Sequence, residues 1–173
     1  MAVKIMLSGA EEAIKNLEKL SPENIGSAVK ASAKRAALAA RTAGTGHVRQ
    51  IYTIRSGDMK ERTMIFSEAD GATLKVKGAT ESVKKYRANE RKKGIFFAIK
   101  HGGGRIVPRS FAMNSGQYVQ RRGPERFPVK GLHGPSVPQL FGNEAVMSEM
   151  QERAGEVFET RLYHEIGRQL GVV

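Results

Sequence analysis

An alanine-rich apolar stripe in the first third of the chain is the feature that most restricts how this sequence can fold. The stripe consists of Ile25, Ala28, Val29, Ala33, Ala36, Ala37 and Ala40. Its spacing predicts a long helix, which Ser21 and Pro22 would start, because serine caps a helix and proline fits its first position. Since alanine lets a neighbouring element approach closely, we expect this helix to pack tightly. Gly44 and Gly46 weaken its end and leave open whether it continues through residues 47–51.

Strand-like patterns replace the helical spacing in the middle of the chain. Residues 72–77 alternate between apolar and polar side chains, and residues 94–99 form a more buried run. Residues 105–113, in which Pro108 marks an edge or a bulge, and residues 117–121 are typical of two further strands. Together these patterns predict an antiparallel meander of about four strands.

Helical patterns return on both sides of this predicted sheet. Residues 55–65 favour a short helix with Ser56 or Asp58 as its cap. Near the C-terminus, Asn143 is a candidate cap for a last helix that runs to about Gln169. The sheet is therefore expected to lie between helical segments in the sequence.

These elements together predict one α+β domain over residues 1–173. The length fits a single domain with a modest core. We expect a small antiparallel sheet of about four strands, packed by a long helix in the N-terminal half and a C-terminal helix, with extended loops and an arm. The N-terminal segment adds a predicted strand over residues 3–7 and a short helix over residues 10–20.

Positive charge is concentrated in the middle of the chain. The net formal charge is +12, and residues 71–142 carry 15 basic and 3 acidic side chains. Such a surface attracts phosphate groups or an acidic protein partner. Within it, residues 80–93 are predicted to form a long basic hairpin loop. Its cations are Lys84, Lys85, Arg87, Arg91, Lys92 and Lys93.

Residues that carry enzyme chemistry do not occur here in the required combinations. The chain has no cysteine, which excludes disulfides, thiolate metal sites and a cysteine nucleophile. The four histidines lack zinc-ligand spacing. The turn at residues 101–104 is similar to the oxyanion turn of some esterases, but the serine motif that such a turn needs is absent. We expect no enzyme activity, no cofactor and no metal, and no apolar run long enough to cross a membrane.

A specific motif lies in residues 124–142, a glycine- and proline-rich segment that is predicted to be an extended arm. Residues 131–141 have the sequence Gly-Leu-His-Gly-Pro-Ser-Val-Pro-Gln-Leu-Phe. This motif resembles a signature of the minor tail protein Z family of lambda-like phages and prophages. Residues 105–111, residues 121–130 and the helical residues 34–43 resemble further motifs of the same family.

The resemblance implies a structural role late in tail assembly, without catalysis. It implies a tail-completion protein that acts where the tail meets the head, and a ring of copies that follows the six-fold axis of the tail. The expected partners are copies of this chain, neck and tail proteins such as the tail terminator, tube and connector, and packaged DNA contacted without sequence preference. The expected location is the virion, after synthesis in the cytoplasm of the bacterial host.

Two helical stripes of opposite charge suggest how such a ring could close, because a head-to-tail interface needs two complementary flanks. The basic stripe is Lys30, Lys34 and Arg41, and the acidic stripe is Glu149, Glu152, Glu156 and Glu159. We expect the stripes to face each other across the subunit boundary; the alternative is two solvated faces. Leu140 and Phe141 are expected to anchor the arm, either in a groove of a neighbouring subunit or as a strap over the chain's own core.

The resemblance also suggests a role for the basic hairpin loop. We expect its cations to point toward DNA in the channel or toward an acidic surface of the tail tube. The competing function is a free, sequence-nonspecific nucleic-acid-binding protein. Charge alone supports that alternative, since the sequence has no zinc-finger, ribonucleoprotein or leucine-zipper signature.

Overall fold

Two long helices form the centre of the fold. The computed structural model describes residues 2–3, 22–68 and 70–169. The described helices are α1 (Pro22–Ile51), α2 (Ser56–Lys60), α3 (Val137–Phe141) and α4 (Glu144–Gln169). Alanines of α1 share the main core with the apolar face of α4, which includes Val146, Met150 and Phe158. Small side chains on α1 therefore face large ones on α4.

The helix α1 continues without a break through Gly44 and Gly46. A Cβ atom on Gly44 would lie 2.5 Å from Met150 Sδ and 3.1 Å from Phe141 Cε1. No atom lies within 4 Å of the corresponding position on Gly46, which is exposed. Gly44 thus allows close packing of helices, and neither glycine ends α1.

Short strands make up the rest of the regular structure. The described strands are β1 (Ala2–Val3), β2 (Thr63–Ser67), β3 (Ala72–Val76), β4 (Thr80–Ser82), β5 (Arg87–Arg91), β6 (Gly94–Ala98), β7 (Arg105–Val107), β8 (Ser110–Ala112), β9 (Tyr118–Arg121), β10 (Val129–Gly131) and β11 (His133–Ser136). They form small antiparallel sheets with the orders β1-β3-β2, β5-β6-β7, β8-β9-β10 and β4-β11. The α+β class is confirmed.

The predicted four-stranded meander is wrong, because its strands belong to different sheets. β3 pairs with β2, β6 pairs with β5 and β7, and β9 pairs with β8 and β10. The run of residues 105–113 divides at Arg109, whose φ of 59° turns the chain. The Ser110 hydroxyl holds this turn by donating to Val107 O, and it accepts a hydrogen bond from Ile95 N at 2.7 Å.

The helix predicted over residues 55–65 is too long. Only Ser56–Lys60 is helical, and the alternating burial of residues 63–67 is that of a half-buried strand. The predicted caps are also wrong, because Arg55 occupies the cap position and makes no side-chain cap hydrogen bond.

The prediction for the last helix is confirmed. Asn143 Oδ1 accepts a hydrogen bond from Ala145 N at 3.1 Å, and α4 reaches Gln169. Near the N-terminus, the structure describes only Ala2–Val3, which form β1. The remainder of the predicted strand over residues 3–7 and the predicted helix over residues 10–20 lie outside the described residues.

Two segments predicted as a loop and an extended arm contain regular structure. The segment 80–93 contains β4, a 3-10 turn over Val83–Lys85, and β5, which forms a hairpin with β6. The segment 124–142 contains β10, β11 and α3. The prolines and glycines of the second segment therefore do not keep it from forming short strands and a helix.

Candidate interaction surfaces

The motif at residues 131–141 is built into the core of its own chain. The second of its two glycines, Gly134, leaves room for the Tyr86 ring, since a Cβ atom there would lie 2.7 Å from Tyr86 Cε2. The Tyr86 hydroxyl donates a hydrogen bond to Pro135 O at 2.7 Å. Burial, together with the negative charge of Glu81, raises the pKa of Tyr86 well above its usual range. The motif therefore fixes a buried, neutral tyrosine.

A capping box then turns the motif into the helix α3. The Ser136 hydroxyl accepts a hydrogen bond from Gln139 N at 3.4 Å, and Gln139 Oε1 accepts one from Ser136 N at 2.9 Å. Leu140 and Phe141 follow on this helix and are fully buried in the main core. This placement corrects the interpretation of the segment as an arm that anchors in a neighbour and agrees with the alternative of an internal strap.

Both predicted charged stripes are carried by the paired long helices. Lys30 and Lys34 are exposed on α1, and Arg41 is half-buried. Glu149, Glu152, Glu156 and Glu159 are exposed on α4. Glu156 also pairs with Arg153 of the same helix at 2.7 Å. The two stripes are thus accessible to another molecule, while the apolar faces of both helices are occupied within the chain.

Lys85 belongs to a partly buried ion-pair cluster. Its ammonium group lies 2.9 Å from Glu81 Oε2 and 3.5 Å from Asp58 Oδ1. The buried Glu81 also accepts a hydrogen bond from Arg62 Nε at 3.0 Å. Burial disfavours the charged form, but the hydrogen bond and the charge of Glu81 outweigh it and raise the pKa of Lys85. The charge of Lys85 is therefore largely offset by its own chain.

The other cations of the predicted loop remain exposed. Arg87 and Arg91 lie on β5, and Lys92 and Lys93 form the turn between β5 and β6. The backbone N–H of Arg87 donates a hydrogen bond to Thr53 Oγ1 at 3.0 Å. This bond joins the start of β5 to the segment between α1 and α2. Lys84 is also exposed, on the 3-10 turn. Arg91, Lys92 and Lys93 therefore lie at the turn end of the hairpin, and Arg87 lies at the other end of β5.

A second cationic surface lies on β7 and on the sheet β8-β9-β10, and the sequence reasoning did not single it out. Its basic side chains, all exposed, are Arg105, Arg109, Arg121, Arg122, Arg126 and Lys130. Three of these guanidinium groups lie 5.1–5.8 Å from the centres of phenylalanine rings. Such stacking restrains the arginines at little desolvation cost. Composition was the sequence signal that could have indicated this surface, because Glu125 is the only acidic residue in residues 105–130.

The glycine-rich turn after β6 is a structural connection. The backbone N–H of His101 donates to Ile51 O at 3.0 Å, and its ring lies 3.0 Å from Arg49 O, which joins the turn to the end of α1. Gly102 and Gly104 have φ angles of 74° and 154°, which favour glycine. Among the described residues, no group of three histidine or carboxylate side chains is placed to bind a metal ion.

The match to known proteins covers nearly the whole chain. Residues 7–173 match the model of the prophage minor tail protein Z family. The chain belongs to this family. The resemblance based on the motif at residues 131–141 is thereby confirmed, and the motif has a structural explanation in this fold. No curated protein and no solved structure matches the chain.

Family membership supports a structural role in a phage tail and contact with other tail proteins. It also favours a protein without catalytic activity. None of the helices in the described part of the chain is both long and apolar enough to span a membrane.

Proposed function

We propose that this chain is a tail-completion subunit of a long-tailed phage, a structural virion protein that forms a ring at the head–tail junction. The family match over residues 7–173 is the observation that carries this proposal. The exposed charge supports it, because a subunit at this junction contacts copies of itself, other neck and tail proteins, and passing DNA. Immunogold electron microscopy with antibody against this chain should place gold at the neck; gold distributed along the tail would contradict the proposal.

The ring is proposed to close through the two charged stripes. The stripes lie on helices whose apolar faces pack together, so each subunit offers one basic and one acidic helix surface to its neighbours. Each exposed ion pair contributes only about 0–1 kcal/mol. Several pairs at each boundary, repeated around a six-fold ring, are therefore needed, and reversal of two charges should oppose assembly.

Native mass spectrometry tests this interface. The double variant Glu152→Lys and Glu159→Lys leaves the Glu156 pair with Arg153 intact and should shift the ring toward monomer. Adding Lys30→Glu and Lys34→Glu to this variant should restore assembly, because the two stripes then carry opposite charges again, with their signs exchanged. The control double variant, Glu90→Lys and Glu125→Lys, makes the same change in net charge at exposed sites on other elements. Rings that survive reversal, or that the control disrupts equally, would contradict this interface.

The hairpin cations are proposed to contact DNA in the channel or an acidic surface of the tail tube. The exposed group of Lys84, Arg87, Arg91, Lys92 and Lys93 carries this role, with a smaller contribution from Lys85. DNA affinity should fall as salt rises, with a slope of about 0.9 for each phosphate contact. The variant Lys92→Gln with Lys93→Gln should reduce that slope by about 2, whereas Lys30→Gln with Lys34→Gln should leave it unchanged. An unchanged slope in the first variant would assign the hairpin to protein contacts.

The second candidate function is nonspecific nucleic-acid binding by the free protein. The exposed arginines on β7 and the sheet β8-β9-β10, together with the hairpin cations, favour it. This function predicts tight DNA binding by the isolated chain and no place in purified particles. The two functions are thus separated by the content of particles as well as by DNA affinity.

A further inference from the structure

A cleft opens between two of the small sheets, away from the paired helices. It has a volume of about 370 Å³, and one wall comes from β7 and the turn after it. The other wall comes from β9, β10 and the residues that follow β10. β7 and β10 each lie at the end of their sheet in the described strand order. Sheet ends are places where extended segments of other chains add to a fold.

The floor of the cleft is apolar and rigidly supported. Phe97 and Val107 are buried in a small core cluster, and Leu132 packs against the same cluster. Leu132 is half-buried and lines the cleft, so part of its apolar surface stays open to a partner side chain.

The rim of the cleft is positively charged. Arg105 lies over the Phe97 ring at 5.8 Å, which restrains its guanidinium group at the mouth. Lys130 lines the opposite wall and is exposed. Of the described residues that line the cleft, none is acidic. The two cations therefore have no carboxylate beside them in the cleft.

We propose that this cleft binds an extended, acidic segment of another virion protein. Apolar side chains of the segment cover Leu132 and the floor, and its carboxylates pair with Arg105 and Lys130. The alternation of side chains in an extended strand supplies both kinds of contact from one short segment. Most hydrogen bonds between proteins and DNA go to phosphate and sugar oxygens, and an apolar floor offers them no donor, so the cleft favours such a segment over nucleic acid. The partner's place in the virion rests on the proposed function, whereas the chemistry of the cleft does not depend on the ring interface.

The test uses the full chain, labelled with nitrogen-15, and a short synthetic peptide in which glutamate alternates with valine. Amide shifts should concentrate on residues of the cleft. A peptide in which lysine replaces each glutamate should not bind. The variants Arg105→Gln and Lys130→Gln should each weaken the glutamate peptide about tenfold, as expected for a lost charge-assisted hydrogen bond. Leu132→Ala, which keeps the charge and shortens an apolar side chain of the cleft, should also weaken it several-fold.

The matched controls are Arg91→Gln and Lys93→Gln, which remove the same charge from the hairpin. They should change the peptide affinity less than twofold, and all variants should retain the dispersed amide spectrum of the folded chain. Absence of peptide binding, or equal weakening by the hairpin controls, would overturn the proposal. Tighter binding of an oligothymidine to the same cleft residues would instead assign the cleft to nucleic acid, and shifts that depend only on protein concentration would assign it to a second copy.

Discussion

Replacing Gly44 by alanine probes the packing between α1 and its neighbours, because the added methyl group has no space. The new Cβ atom would lie 2.5 Å from Met150 Sδ, 2.7 Å from Met150 Cγ and 3.1 Å from Phe141 Cε1. Both neighbours are fully buried, so neither can turn toward solvent. Overpacking of this kind costs about 1–3 kcal/mol.

The substitution Gly46→Ala is the matched control. It makes the same chemical change two residues along α1, where no atom lies within 4 Å of the new Cβ position. Each alanine improves helix propensity by about 1 kcal/mol, so this gain cancels when the two variants are compared. Gly46→Ala should stabilise the chain, and Gly44→Ala should be less stable than this control by about 1–3 kcal/mol.

Urea unfolding followed by circular dichroism measures the difference. With a denaturant dependence of about 2 kcal/mol per molar urea, the midpoints should differ by roughly 0.5–1.5 M. Equal midpoints for the two alanine variants would refute the close approach of α4 to α1. In a Met150→Ala background the penalty at Gly44 should shrink, because the two closest of these atoms are gone.

Three further predictions concern the family motif and Tyr86, which packs against it. Phe141→Ala should lower the free energy of unfolding by about 3–5 kcal/mol, since the ring is fully buried; a loss below 1 kcal/mol in urea unfolding would place the ring outside the core. Ser136→Ala removes the cap of α3 and should cost about 1 kcal/mol in the same assay, and no loss would mean that the capping box does not support α3. Tyr86 has a raised pKa in the fold, so its contribution is complete below about pH 10 and is lost as pH rises above that value, by up to about 1.4 kcal/mol per pH unit. Tyr86→Phe should therefore flatten the fall of stability between pH 10 and 11, and an unchanged fall would show that this hydroxyl does not titrate with unfolding.

The long helices could be predicted from the sequence because their signals repeat over many residues. The alanine stripe and the Asn143 cap are local patterns, and they predict α1 and α4 correctly. Whether α1 continues past Gly44 could not be settled locally. The answer depends on Met150 and Phe141, which are more than 90 residues away in the sequence and meet Gly44 only in the fold.

The division of the sheets depends on contacts that no local pattern records. Residues 105–113 have the composition of one strand, but the Ser110 hydroxyl bonds to Val107 O and Ile95 N and bends the chain there. In the motif, the spacing of Ser136 and Gln139 is a capping-box signal that the sequence did contain. The prolines around it favoured the interpretation as an extended arm, although proline is also accepted in the first turn of a helix.

The sequence predicted the charge of the candidate surfaces better than it predicted their geometry. The acidic stripe at helical spacing correctly indicated one exposed face of α4. The basic segment predicted cations, but it could not distinguish Lys85 from the exposed Lys92 and Lys93. The difference arises because Glu81, the partner of Lys85, is buried by tertiary packing. The cleft beside Arg105 and Lys130 arises from two sheets meeting, so sequence alone gave no sign of it.

Quantitative mass spectrometry of purified, salt-washed particles tests the proposed function most directly. A tail-completion subunit should be present in a few copies per particle, in a fixed ratio to the portal protein, and should resist the salt wash. Absence of the chain from particles that carry complete tails would contradict the virion role, and the cationic surfaces would then belong to a free nucleic-acid-binding protein.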